Sequence, residues 1–342
     1  MSRDIPKWKQ WLQYLSVQGA VTALASAGVG ANLSLARRIA RAYFEAHRTH
    51  RERAFRHIRQ GFPSWSRDQV QSVALGSFEH FFQLMAEVYF TRRLVHPNTY
   101  NDRVVRVQGD RGLDMLYEGS PVLLVTGHFG NWEALGYFLA IEGHRICAVA
   151  RPLDNPLLNA WLLGLRRRRG LRIIQKWSDP IDQIMMALHH REAVGFIADQ
   201  NAGDGGMFVP FFRRLASTHK TIGVIAARFN LPVVCGYARR VGPDLHYEIA
   251  SVDIIRPADW SDHPSPSYYV TARFMRAIEN MVREHPEQYL WMHRRWKSRP
   301  RHERLGRPMA PPLRRNLEAL PWMNAELLGQ LDQRGAFGPH DR

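Results

Sequence analysis

Cysteine is scarce in this chain, with two in 342 residues. Cys147 and Cys235 both lie in apolar, strand-like runs without metal-type spacing, so they read as small buried hydrophobes. The 16 histidines are scattered, His189-His190 is the only adjacent pair, and no H-E-x-x-H is present, so no metal site is expected. The absence of a P-loop and of a G-x-S-x-G elbow argues against a nucleoside triphosphatase and an ordinary serine hydrolase. No internal repeat is visible. Acidic side chains are in deficit, 31 against 47 Lys and Arg, a net charge of +16. That balance points to anionic partners: nucleic acid, phosphate groups or an anionic membrane face.

Strongly apolar runs are also missing. Between Lys9 and Arg37 no residue is charged, and residues 11–36 are long enough to span a bilayer, yet the stretch is rich in Gly, Ser, Ala and Gln. It reads as a transmembrane or half-embedded anchor, an interfacial amphipathic helix, a cleaved signal peptide with a site at Ala25-Ser26-Ala27, or a helix packed on the domain. Lys7, Lys9, Arg37 and Arg38 flank it on both sides and leave its orientation open.

What is present is a chain with an apolar content of 45 %, ample for a core, and a length that allows one large or two modest domains. Residues 1–100 read as mostly helical, with an Arg- and Ala-rich stretch over 35–55 and a helix opened by a capping box at Ser66 and Gln69. The aromatic stripe Phe78, Phe81, Phe82, Tyr89 and Phe90 is core, or in a lipid enzyme the lining of an acyl channel. From Val104 strands and helices alternate. Strands are expected at 104–108, 121–126, 145–150, 171–175, 194–198, 231–237 and 247–252. Helices are expected at 111–118, 131–142, 156–169, 180–191, 218–230 and 267–284. Asp110, Asn131, Asn155-Pro156 and Asp179-Pro180 supply helix starts. The alternation predicts an α/β fold, a mostly parallel central sheet flanked by helices, with a helical N-terminal region and a membrane-associated N-terminal helix. The divisions expected are an N-terminal helix over 1–40, a catalytic domain over 41–304 and a Pro-punctuated, loosely attached tail over 305–342.

The stretch GHFGNWE, residues 127–133, is the centre of the reading. It joins a buried strand to a helix, with His128 on the loop and Glu133 in the first helical turn. With the loop between them, Glu133 is expected to turn back and orient His128, making a general base for a hydroxyl or amine. The plainer reading is a capping histidine and an ordinary first-turn acid. Position favours function, because open α/β sheets bind ligands beyond the carboxyl ends of their strands.

HFGNWE resembles the His-x4-Glu/Asp signature of glycerolipid acyltransferases and, more narrowly, the bacterial lipid A late acyltransferase family of lauroyl and myristoyl transferases. The resemblance continues in order through RPLDNPLL (151–158), Asp199-Gln200 with FVPFF (208–212) and Thr218, and PEQYLWMHRRWK (286–297) with Arg299-Pro300. It covers roughly residues 1–304. Arg213 replaces the family's usual glycine after FVPFF, and the loop NAGDGGM (201–207) also differs, which puts the acceptor in doubt rather than the chemistry.

The resemblance implies an O-acyltransferase that moves a fatty acyl chain from an acyl carrier protein or coenzyme A thioester to a hydroxyl of a membrane glycolipid, a lipid A precursor. His128 and Glu133 would be catalytic, with no metal and no organic cofactor. It also implies the inner membrane, with the catalytic domain on the cytoplasmic face and an anionic membrane surface as partner. Backbone N–H groups near Gly130 and Asn131, or Arg151, are expected to meet the oxyanion. The basic runs 166–169 with Arg172, and 294–301, read alone as solvated faces. Inside or next to the family motifs they read as phosphate binders, and Arg151, Asn155, Arg166, Arg169, Asp199, Gln200, Arg294, Arg295 and Lys297 are the candidates for substrate binding. Asp199-Gln200 supports an arginine, binds a head-group hydroxyl, or caps its own loop. Two rival functions remain: a basic membrane-peripheral or nucleic-acid-binding protein without catalysis, and a thioesterase on the same fold. Nucleic acid is not the expected partner.

Overall fold

The computed structural model describes residues 5–332 apart from 26, 151, 168–169, 176–179 and 243–244. The first hundred residues are helical: α1 (Lys7–Ala25), α2 (Val29–Ala46), α3 (Arg48–Gly61), α4 (Arg67–Leu94) and a short α5 (Tyr100–Arg103). The Arg- and Ala-rich stretch over 35–55 falls on two helices, because His47 leaves the helical region at φ −101°, ψ 72° and the chain turns there. The capping box of α4 forms as expected: the Gln69 N–H donates to Ser66 Oγ at 3.2 Å and the Ser66 N–H to Gln69 Oε1 at 2.8 Å.

Then follow β1 (Val104–Arg106), α6 (Arg111–Tyr117), β2 (Leu123–Thr126), α7 (Trp132–Ile141), β3 (Ile146–Ala150), α8 (Pro156–Arg167), β4 (Arg172–Gln175), α9 (Pro180–His189) and β5 (Ala193–Ile197). A hairpin of β6 (Met207–Phe211) and β7 (Arg214–Thr218) leads to α10 (Thr221–Phe229), β8 (Val233–Arg240), β9 (Tyr247–Ile255) and α11 (Pro266–Glu284). Short helices α12 (Arg301–Leu305), α13 (Pro311–Glu318) and α14 (Ala325–Leu331) close the described chain. The β6–β7 hairpin was not anticipated; Thr218, expected to open a helix, ends β7 instead, and every residue of that strand is buried.

Seven strands form one sheet in the order β1-β9-β8-β2-β5-β3-β4. Five of its six pairings are parallel, with β8 and β9 antiparallel. The expected α/β class with a mostly parallel, helix-flanked sheet is therefore observed. One face of β2 sends Leu123 and Val125 into a core shared with Val194, Cys235 and the inner side of α11. The other face packs with α6 and α7 through Leu113, Phe138, Ile146 and Val234. Central strands covered on both faces are the reason these segments read as continuous apolar runs.

Among the described residues no helix is long and apolar enough to cross a membrane. The uncharged stretch divides between α1 and α2, and α2 packs Leu33 and Ala36 against Ala86 of α4. Phe78 and Phe90 are core residues; no member of the aromatic stripe lines the narrow apolar cavity described below, while Tyr89 lines a separate cavity with Val21 and Trp161. The segment expected to hang loose after Leu305 is docked as far as it is described: Met309, Leu317, Leu320 and Leu331 join the main core.

Two histidines of the helical layer are sealed inside. His57 Nδ1 lies 3.0 Å from the Trp291 carbonyl, and His80 Nε2 lies 3.0 Å from the Gly130 carbonyl. Burial pushes both down to about 3. The unfolded chain binds these protons near the ordinary histidine value of about 6.5 while the folded chain refuses them. Their contribution is therefore complete above about pH 6.5 and is lost as pH falls toward 3. Denaturant titrations should show stability falling by about 2–3 kcal/mol between pH 6 and pH 5 from this pair. His80→Gln should reduce the slope by about one proton; an unchanged slope would contradict this assignment.

Candidate active site

Strands β2 and β5 are parallel neighbours, with Thr126 opposite Ile197. Both chains run two residues further and end on His128 and Asp199, so the two side chains meet because their strands are in register. His128 Nδ1 lies 2.7 Å from Asp199 Oδ1, and the His128 backbone N–H donates to Asp199 Oδ2 at 3.0 Å. Asp199 is 1 % exposed. Burial alone would raise its pKa, but the facing His128 charge and the two hydrogen bonds outweigh it and hold the carboxyl far below the usual range. With Nδ1–H on the carboxylate, Nε2 carries the lone pair and is the basic nitrogen. The Gln200 amide lies 3.2 Å from Nε2. The Trp132 ring stands edge-on to the imidazole at 4.9 Å, and the His293 ring lies nearly parallel to it at 6.0 Å.

The expected partner of His128, Glu133, is elsewhere. The first turn of α7 directs it to α8, where Arg166 donates to it from Nε at 3.2 Å and Nη2 at 2.5 Å. The carboxylate that orients the imidazole is Asp199, and Arg166 is Glu133's ion-pair partner. The expected backbone donors are also otherwise engaged: the Gly130 N–H donates to the Gln288 carbonyl at 3.0 Å, and the Asn131 N–H to the Ala238 carbonyl at 2.6 Å. Gly130 is required here on two counts. Its φ is +57°, and a Cβ would stand 2.2 Å from the Ala238 oxygen.

Asn131 caps α7 through the Ala134 N–H at 2.9 Å, and its Nδ2 donates to buried Glu87 at 2.8 Å. Asn155 is not free for substrate: it caps α8 through the Leu157 N–H and pins α1 by donating to the Gln10 carbonyl at 3.0 Å and to Gln13 at 2.9 Å. Arg295 is 1 % exposed and donates to the Ser217 carbonyl at 2.5 Å and Thr218 Oγ1 at 2.6 Å, so it braces the end of β7 instead of meeting a ligand. Arg294 and Lys297 are exposed. Arg151 and Arg169 lie outside the described residues. Among the described residues there is no cluster of three His, Cys, Asp or Glu able to hold a metal ion.

A family model described as bacterial lipid A biosynthesis acyltransferase matches residues 2–298. The chain belongs to this family. It is 28 % identical over 206 residues to a lipid A biosynthesis acyltransferase of Haemophilus influenzae, an alignment covering 58 % of this chain and 64 % of that protein. It is 29 % identical over 207 residues to the lipid A biosynthesis palmitoleoyltransferase of Escherichia coli, covering 55 % and 61 %. It is 30 % identical over 190 residues to the lipid A biosynthesis lauroyltransferase of Escherichia coli, covering 55 % and 60 %. These alignments thus span about three-fifths of the relatives' length.

Three of the segments that carry the family resemblance converge on one point: His128 from GHFGNWE, Asp199 from the end of β5, and His293 from the segment after α11. Beside them, between the sheet and α7, runs a narrow cavity of about 110 Å³. Its walls are apolar, with Leu135, Leu139, Ile146 and Phe196 beside the small residues Ala148 and Gly195. Trp132, Glu133 and Arg166 also line it.

Asp199 was a candidate from the sequence, but not as the partner of His128. The available signal was that two apolar strands, 71 residues apart, each run into a titratable residue, His128 and Asp199, and strand ends of a parallel sheet share one edge. His293 carried no signal beyond its motif. Replacing Asp199 by Asn should remove the preference for the Nδ1–H tautomer of His128, read from imidazole ¹⁵N shifts. Glu133→Gln should leave that tautomer as in the parent protein. The reverse result would restore Glu133 as the orienting group.

Proposed function

We propose that this protein transfers a fatty acyl chain from an acyl thioester, carried on acyl carrier protein or coenzyme A, to a hydroxyl of a membrane glycolipid, a lipid A precursor. The observation that carries the reading is the His128–Asp199 pair, on the loop that leads into Trp132 and Glu133 at the wall of an apolar slot. The names of the relatives, lipid A lauroyl- and palmitoleoyltransferases, support the substrate class. The acceptor hydroxyl displaces the Gln200 amide and gives its proton to His128 Nε2. The alkoxide adds to the thioester carbonyl. Collapse of the tetrahedral intermediate expels the thiolate, which takes the proton from His128. No covalent acyl-enzyme is required. Asp199 holds the tautomer and stabilises the imidazolium as it forms. The acyl chain lies in the slot under α7, with the Glu133–Arg166 pair at its wall. No metal or organic cofactor takes part in this scheme.

We place the reaction at the cytoplasmic face of the inner membrane. Trp8, Trp11, Leu12 and Leu15 recur at helical spacing on α1 and are all more than half exposed, with Lys7 and Lys9 beside them. An apolar stripe with basic neighbours on a chain of charge +16 suits an anionic lipid surface.

Incubation with acyl thioester and lipid extract should release thiol only when lipid is present; release without lipid would make the protein a thioesterase. His128→Ala and Asp199→Asn should each lower turnover about 10³–10⁴-fold with the fold intact. Wild-type turnover by folded His128→Ala would refute the mechanism. A Cβ at Gly195 would meet only the Cys147 carbonyl, at 3.8 Å, so a longer side chain can enter the slot. Gly195→Leu should shift kcat/KM toward shorter acyl thioesters by about tenfold or more, and an unchanged chain-length profile would remove the acyl chain from this slot.

A further inference from the structure

Acyl transfer passes through an oxyanion, and a site built for it holds hydrogen-bond donors ready where that charge develops. The loop after β2 offers few. Of four consecutive backbone N–H groups, His128's is bonded to Asp199, Gly130's to Gln288 and Asn131's to Ala238. Among the described residues the Phe129 N–H alone of the four has no acceptor. Phe129 is bridged to Tyr289 through the hydrogen bonds of its two neighbours, so its own N–H points away from that segment. One donor is therefore ready on the backbone, and a second must come from a side chain.

Among the described residues, His293 is the side chain that stands beside His128 with its ring nitrogens free. Its ring lies 6.0 Å from that of His128 with an interplanar angle of 11°. Backbone bonds place it there: the Leu290 N–H donates to the His128 carbonyl at 3.1 Å and the His293 N–H to the Leu290 carbonyl at 3.1 Å. From behind, Arg53 donates to the Met292 carbonyl at 3.0 Å. His293 is thus held by its main chain, and among the described residues its ring nitrogens have no hydrogen-bond partner. Burial pushes its pKa down to about 4, against the pull of Asp199, with His128, Arg295 and Arg53 adding to the fall. At neutral pH the ring is uncharged, with one N–H to give and no proton to lose to His128. A neutral imidazole is a competent electrophilic partner for a developing oxyanion.

We infer that His293 is a second catalytic imidazole of this site, donating its ring N–H, together with the Phe129 N–H, to the oxyanion of the tetrahedral intermediate. This rests on the acyl-transfer reading above. When the acceptor oxygen bonds to the thioester carbon, the carbonyl π pair moves onto oxygen and is met by these donors. When the C=O reforms and the C–S bond breaks, His128 returns its proton to the thiolate, and His293 keeps its own throughout.

The test compares the full-length wild-type protein with His293→Ala, His293→Asn, His293→Gln and His128→Ala, using acyl thioester and lipid extract. His293→Ala should lower kcat about 10²–10³-fold while KM stays within about threefold. The better of the two amide variants, which keep an N–H donor near one ring nitrogen or the other, should recover at least tenfold of that loss. If His293→Ala misfolds by circular dichroism, the comparison of the amide variants with wild type decides: a kcat equal to wild type in neither, but tenfold or more above His128→Ala in one, supports the role. A kcat within threefold of wild type for folded His293→Ala, or equal losses for Ala, Asn and Gln, overturns it and leaves the His128 mechanism standing. Full activity of His128→Ala overturns both.

Discussion

The site depends on the pairing of β2 with β5. Two parallel strands in register deliver their carboxyl ends side by side, and the residues two steps beyond Thr126 and Ile197 face one another. A carboxylate so buried is tolerable because both of its oxygens accept hydrogen bonds from His128, and the Tyr289 side chain is hydrogen-bonded to it as well. The pair is thus a feature of the sheet before it is a feature of the loop. The glycine that follows, Gly130, lets the loop pass against the Ala238 carbonyl and hand the chain to α7.

Around that pair the protein builds a second layer of polar contacts. Glu87 on α4, fully buried, binds Arg240 at 2.6 Å and Asn131 at 2.8 Å. Gln288 closes a ring with both backbone groups of Arg240, while His80 takes the Gly130 carbonyl. A buried ion pair adds little net stability over apolar packing, so its value here is positional. It ties the helical layer, β8 and the segment after α11 to one short loop.

The basic residues divide in the same manner. Arg166, Arg295 and Arg299 are engaged with Glu133, the β7 end and Glu303 respectively, and so act as braces. Arg294, Lys297 and Arg301 remain exposed and carry the positive field that suits an anionic partner. A run of like charges in sequence is therefore two populations in space, and only burial tells them apart.

The sequence by itself determined the strand–helix alternation, the caps at Asp110, Asn131 and Asn155, the capping box at Ser66, and the place of His128 on the loop between β2 and α7, because each of these is set by residues within a few positions of one another. It also contained the family motifs in order. Which carboxylate faces the imidazole was decided only by tertiary structure, since Glu133 lies five residues away and Asp199 seventy-one. Strand order carries that information, and no local pattern states that β5 lies between β2 and β3. The same reason hid the engaged N–H groups of Gly130 and Asn131, whose acceptors come from Gln288 and Ala238. Local chemistry chose the helix, the turn and the imidazole on it; the order in which strands pack chose the carboxylate that faces it.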